Sequence, residues 1–90
     1  MNNTVPFRER VFEVVRSIQK GETLTYSEVA KRAGNKKAAR AVGAVLRTNV
    51  DPKIPCHRVV KGDGSLGGYN RGIKKKEQLL KLEKAWKKRQ

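Results

Sequence analysis

The sequence predicts a mainly α-helical domain with a small β-hairpin, arranged as a winged-helix-like helix-turn-helix. Three observations carry that expectation. Apolar residues recur at helical spacing near both ends of the chain. A capping box, a short helical stretch and a glycine stop lead directly into a second helical stretch. A glycine-rich turn, Lys61-Gly62-Asp63-Gly64, separates Val59-Val60 from Ser65-Leu66 and reads as the hairpin. Ninety residues allow one domain, with residues 1–5 a loose tail and residues 88–90 a basic one.

Each element has a local cause. Pro6 suits the first turn of a helix, because its missing N–H has no partner there anyway. After it, Phe7, Val11, Val14, Val15 and Ile18 form one apolar stripe, and Lys20-Gly21 ends the helix. Thr25 and Glu28 are spaced as a capping box, with Leu24 and Val29 as the accompanying hydrophobic staple. A helix over 26–33 follows, closed by Gly34. Asn35 is placed to cap a third helix over 36–47. That helix is nearly bald, since Ala38, Ala39, Ala41, Gly43 and Ala44 leave its surface open to close approach, and Arg40 is the one long cation in its middle. Pro52 and Pro55 forbid helix over 48–58. The last helix is expected over 74–87, packing through Leu79, Leu82 and Trp86.

The charge points to a partner. Twenty-two Lys plus Arg against eight Asp plus Glu give +14, so the expected ligand is a polyanion, most simply nucleic acid. The densest basic block lies in residues 71–90. No apolar run approaches the roughly 20 residues that cross a bilayer, and no signal-peptide core is present, so the expected setting is cytoplasmic, with no membrane partner. One cysteine excludes an internal disulfide, and one Cys with one His cannot make a structural zinc site. No metal is expected.

Pro55-Cys56-His57-Arg58-Val59 is the stretch with chemical potential. A lone cysteine is ordinarily a small buried hydrophobe. Here it follows a proline, adjoins the only histidine and has Arg58 nearby, and positive surroundings favour the nucleophilic thiolate. On an extended segment the Cys56 and His57 side chains would point to opposite faces, so contact between them requires a bend or a bridging water.

Pro-Cys-His-Arg-Val resembles the active-site motif of the O6-alkylguanine-DNA alkyltransferases, which repair DNA by direct reversal. Gly-Glu-Thr-Leu-Thr-Tyr at 21–26, Ala-Gly-Asn-Lys-Lys-Ala-Ala-Arg-Ala-Val-Gly at 33–43, Gly-Tyr at 68–69 and Lys-Glu-Gln-Leu-Leu-Lys-Leu-Glu at 76–83 are similar to the same family. The resemblance runs from Phe7 to Glu83. It implies a single-turnover methylated-DNA–protein-cysteine methyltransferase that needs no cofactor. Cys56 would accept the alkyl group, His57 would act as base through a water, and Glu83 would orient His57. Tyr26 would help rotate the nucleotide out of the duplex and protonate the leaving guanine, a movement that chemistry on a stacked base demands. Arg40 would fill the vacated place in the stack, and Asn49 would hinge the third helix to the active-site loop. Tyr69 and the loop after it, including Asn70, would wall the pocket. Gly43 and Arg58 complete the expected DNA- and substrate-binding set. The implied partner is double-stranded DNA carrying O6-alkylguanine, bound through its minor groove by a monomer.

Most members carry a further N-terminal domain, and this chain reads as the DNA-binding and active-site domain alone. The spacing from Asn49 to Cys56 is one residue shorter than in several members. Two other readings stand beside transfer: an alkyltransferase-like protein that binds lesions without repairing them, and a plain winged-helix DNA-binding protein with a structural cysteine. The first usually lacks the cysteine, and the second leaves the Cys-His-Arg loop and Tyr26 unexplained.

Overall fold

A computed structural model describes residues 5–69 and 71–84. Four helices surround a two-stranded sheet: α1 (Phe7–Arg16), β1 (Leu24–Thr25), α2 (Tyr26–Arg32), α3 (Ala39–Arg47), one 3-10 turn (Cys56–Arg58), β2 (Val59–Val60) and α4 (Ile73–Leu82). The class is mainly α with a small sheet, as expected.

Helix α1 buries Val11 and Val15 completely, and Ile18, just beyond its end, stays on the same buried surface. Val29 and Ala30 of α2 and Val42 and Leu46 of α3 complete the packing, giving one apolar core shared by three helices. Polar ties fix their ends. Arg10 Nε donates to the Ala33 carbonyl at 2.8 Å, joining α1 to the end of α2, and Arg8 bonds the Thr48 hydroxyl at the end of α3.

The turn between α2 and α3 forms as its sequence dictates at the first end and differs at the second. Gly34 adopts φ +95°, and its N–H bonds Lys31 O while the Asn35 N–H bonds Ala30 O. That pair of bonds satisfies the last carbonyls of α2, and the left-handed residue it requires is a glycine. Asn35 does not cap α3. Its Oδ1 accepts the Lys37 amide at 3.2 Å and its carbonyl the Ala38 amide, so the side chain stabilises a turn and α3 starts at Ala39 rather than at 36.

The sheet departs from the expected hairpin. β2 pairs in parallel with β1, Leu24 against Val59 and Thr25 against Val60. The chain does turn after β2, with Lys61 N bonded to Ser65 O and Asp63 Oδ1 accepting both the amide and the hydroxyl of Ser65. Ser65 and Leu66 nevertheless form no strand, because Leu66 turns inward onto Val60 and Leu80. Val59 and Val60 are buried on both faces, the signature of a strand paired inside the molecule rather than of a hairpin with one wet face.

Helix α4 shows a different face from the one expected. Lys76 and Leu80 are fully buried, Leu79 is half-buried and Leu82 is 77 % exposed. The inward stripe is therefore 76, 80 and 83, spaced by 4 and 3. The helix ends at Leu82, where Glu83 caps it and Lys84 turns left-handed at φ +58°. Trp86 and the basic residues 87–89 lie outside the described residues. So does Asn70.

Candidate active site

The short strand pair determines the site. Thr25 ends β1 and caps α2: its Oγ1 accepts the Glu28 amide at 3.0 Å, and Glu28 Oε1 accepts the Thr25 amide at 2.9 Å. Tyr26 is thereby the first residue of α2. Across the ladder, β2 follows directly on the 3-10 turn that begins at Cys56. Tyr26 follows the last residue of β1 and Cys56 lies in the turn that leads into β2, so the pairing holds two residues 30 positions apart on the wall of one cavity.

Pro55 supplies the bend. With φ −80° and ψ 62° it centres an inverse γ-turn, closed by Cys56 N–H to Ile54 O at 2.8 Å. Arg58 N–H then bonds Pro55 O, which closes the 3-10 turn. Cys56 and His57 are therefore not on opposite faces of an extended strand. Both are buried, and both line one cavity.

Cys56 in fact borders two cavities of about 280 Å³ each. The first is walled by Tyr26, Gly43, Leu46 and Tyr69 and rimmed by Arg40, Arg47 and Lys61. The second contains Asn49, His57, Tyr69 and the loop around Pro52. Asn49 Nδ2 lies 3.3 Å from Cys56 Sγ and donates to Asp51 O at 3.2 Å, while its Oδ1 accepts the Asp51 amide at 2.9 Å. The shortened spacing does not prevent Asn49 from joining the end of α3 to the cysteine.

On the far side of His57, Glu83 Oε2 lies 3.0 Å from Nε2. The same carboxylate accepts Arg58 Nε at 2.9 Å and its second nitrogen at 2.8 Å. Arg58 holds the Glu83 carboxyl down at about 2, helped by the His57 bond and opposed by burial. An ionised carboxylate only accepts, so the hydrogen on Nε2 belongs to His57. Arg58 does not turn to the cysteine or to either cavity. It spans Glu83 and the Ile18 carbonyl, 2.8 Å away. A guanidinium beside a buried carboxylate is better satisfied there than in an open pocket.

Tyr26 and Tyr69 both line the first cavity, and burial raises both hydroxyls above their ordinary range, with the nearby Cys56 sulfur adding to it. The Tyr69 ring meets His57 edge-on at 6.3 Å. Gly67, at φ +76°, presses on Tyr26: a Cβ there would sit 3.0 Å from its hydroxyl. Beneath the Tyr26 ring lies Lys76, with Nζ 5.8 Å from the ring centre. It donates to Val59 O at 2.6 Å and Gly68 O at 3.2 Å, and burial lowers it to about 8. Sequence reasoning missed Lys76, Lys61 and Arg47. The signal for Lys76 was its position seven residues before Glu83 and four before Leu80, a cation on the inward stripe. Among the described residues no cluster of three His, Cys, Asp or Glu side chains suits a metal, and no helix is long and apolar enough to cross a membrane.

Residues 6–85 match the family described as the DNA-binding domain of 6-O-methylguanine DNA methyltransferase, and the chain belongs to that family. It is 51% identical over 77 residues to a methylated-DNA–protein-cysteine methyltransferase of Methanothermobacter thermautotrophicus, covering 86% of this chain and 43% of that protein. The Homo sapiens protein of the same name is 44% identical over 77 residues, covering 84% and 37%. The chain thus spans about half or less of the length of the curated relatives it matches. Among solved structures, Mycobacterium tuberculosis OGT in complex with DNA superposes with a TM-score of 0.84 at 43% identity, over 90% of this chain and 50% of that one. S. pombe Atl1 in complex with damaged DNA containing O6-carboxymethylguanine gives 0.75 at 28% identity, over 86% and 74%.

Proposed function

We propose that this chain binds double-stranded DNA as a monomer and removes an alkyl group from guanine O6, transferring it irreversibly to Cys56. The observation that carries the reading is the position of Cys56 Sγ, at the floor of a cavity walled by two tyrosines and rimmed by cations, with the His57–Glu83 pair behind it. An apolar slot with a basic mouth suits a nucleobase whose phosphates remain outside.

The residues divide the reaction between them. His57 Nδ1 takes the thiol proton through a water in the second cavity, since Nε2 is committed to Glu83. Sγ attacks the alkyl carbon, the carbon–O6 bond breaks, and its electron pair passes to guanine. Tyr26, whose hydroxyl keeps its proton at neutral pH, gives a proton to the departing base and is reprotonated as the site relaxes. No cofactor is required, because the substrate itself supplies the leaving group. Arg40, exposed on α3 at the cavity rim, fills the gap in the stack. A Cβ on Gly43 would only touch Tyr26 at 3.9 Å, so the bare helix surface leaves room for the minor groove rather than for the protein's own packing. Asn49 holds the active-site loop to α3, Tyr69 walls the pocket, and Arg58 serves as the anchor of Glu83.

Intact mass decides the matter. Incubation with duplex containing O6-methylguanine is expected to leave the protein heavier by one CH2, located on Cys56, with the guanine restored, and Cys56→Ala is expected to bind without transferring. Lesion binding with no change of mass would replace transfer by recognition alone.

A further inference from the structure

The two cavities meet at Cys56 and Tyr69, and the second has a chemistry of its own. A displacement at carbon requires sulfur, carbon and the departing O6 in one line. Whatever the carbon carries beyond hydrogen must leave that line sideways. With the base in the first cavity, the sideways direction at Cys56 opens into the second, between Pro52, Ile54 and Leu79.

Its charges are unbalanced. Arg71 and Lys75 line it, and Asp51 is the one acid that does. Asp51 Oδ1 accepts the Lys53 amide at 2.9 Å, so that carboxylate is turned to its own loop. Glu83, behind His57, is neutralised by Arg58. Arg71 acts electrostatically on the Tyr69 hydroxyl and lines the second cavity but not the first. Lys75 stands one helical turn before Leu79 on α4.

We propose that the second cavity receives the far end of the O6 substituent, and that Arg71 and Lys75 make it favour substituents ending in an anion, of which carboxymethyl is the smallest. The inference rests on the alkyl-transfer reading and adds the substrate class to it. A methyl group is too short to leave the sulfur–carbon–oxygen line and is indifferent to both cations. Because Arg71 and Lys75 are exposed, each contributes a modest amount, and the preference is expected to be roughly three- to ten-fold.

Three duplexes that differ only at one guanine test this: O6-methyl, O6-carboxymethyl and O6-carbamoylmethyl, the last being the neutral isostere of the second. The phosphate background is then identical. Single-turnover rates are compared between the wild type and the double variant Arg71→Gln/Lys75→Gln, in which glutamine removes the charge and stays polar. The readout is the ratio of carboxymethyl to carbamoylmethyl transfer, since intrinsic reactivity cancels between the two proteins. The ratio is expected to fall three- to ten-fold in the variant while methyl transfer stays within two-fold. An unchanged ratio overturns the proposal, as does a methyl rate that falls with the others. The same ratio is read as affinity in the Cys56→Ser background, with and without the two glutamines. If no duplex alkylates the wild type, the transfer reading fails, and the affinity ratio still decides whether the cavity selects an anion.

Discussion

The three-helix half of the molecule and its C-terminal arm are held by different forces. Helices α1 to α3 close on a continuous apolar core in which Val11, Val15, Val29 and Val42 have no exposed surface. Among the described residues, the arm from Val60 through α4 has an apolar cluster of Val60, Leu66 and Leu80. What fastens it is polar: Lys76 on the Val59 and Gly68 carbonyls, and Glu83 between Arg58 and His57. Apolar burial is indifferent to direction and pH and, having no charge to screen, to ordinary ionic strength. Hydrogen-bonded charge is sensitive to all three, and it fixes geometry more narrowly. The half that offers a surface is built from the first, and the part that orients His57 from the second.

Removing the anchor of the arm is expected to have the largest effect. Arg58→Ala leaves the Glu83 carboxylate, 9 % exposed, without its main partner, and truncating one side of such a pair costs about 3 kcal/mol. In a chain of this size that is a fall in Tm of roughly 12–24 °C. The loss should also depend on pH. Glu83 is depressed from 4.5 to about 2 in the folded protein, so its contribution is complete above pH 4.5 and fades as the pH falls toward 2. Melting curves from pH 7 down to 2.5 should therefore show the wild type and the variant converging. A gap that stays constant would mean that Arg58 acts through packing alone.

The core side of the comparison is probed by Val42→Ala, at a side chain with no exposed surface. The expected cost is about 2 kcal/mol, with the same value at pH 3 and pH 7 and at low and high salt. A loss that varied with salt would remove the distinction between the two regions.

The smallest expected effect lies at their junction. Thr25→Ala removes half of the capping box while leaving the β1–β2 pairing in place, and costs about 1 kcal/mol by chemical denaturation. If the cap also sets Tyr26 against the cysteine cavity, the alkyl-transfer rate should fall by more than the fraction unfolded accounts for. A rate that tracks stability alone would confine Thr25 to holding the helix end.

Much of this was determined by short stretches of sequence. Thr25 and Glu28 cap α2 because they are three residues apart, Gly34 ends it because only a glycine adopts φ +95° without strain, and the apolar spacing of α1 gives its buried face. These are contacts within one or two turns, present whatever the rest of the chain does. The motif residues were legible for the same reason, since Cys56, His57 and Pro55 are neighbours in sequence. Tertiary structure alone decided the rest. Val59-Val60 could pair with Ser65-Leu66 or with a strand 35 positions earlier, and only the packed helices made the parallel choice the buried one. The face of α4 that turns inward was set by where Val59 O, Gly68 O and Arg58 awaited a partner, which is why a lysine and a glutamate are buried there while Leu82 faces water. Arg58 reads in sequence as a charge beside the cysteine, yet its nearest unsatisfied acceptors lie 25 and 40 residues away, at Glu83 and Ile18. Periodicity reports which side chains share a face, and it carries no information about what that face will meet.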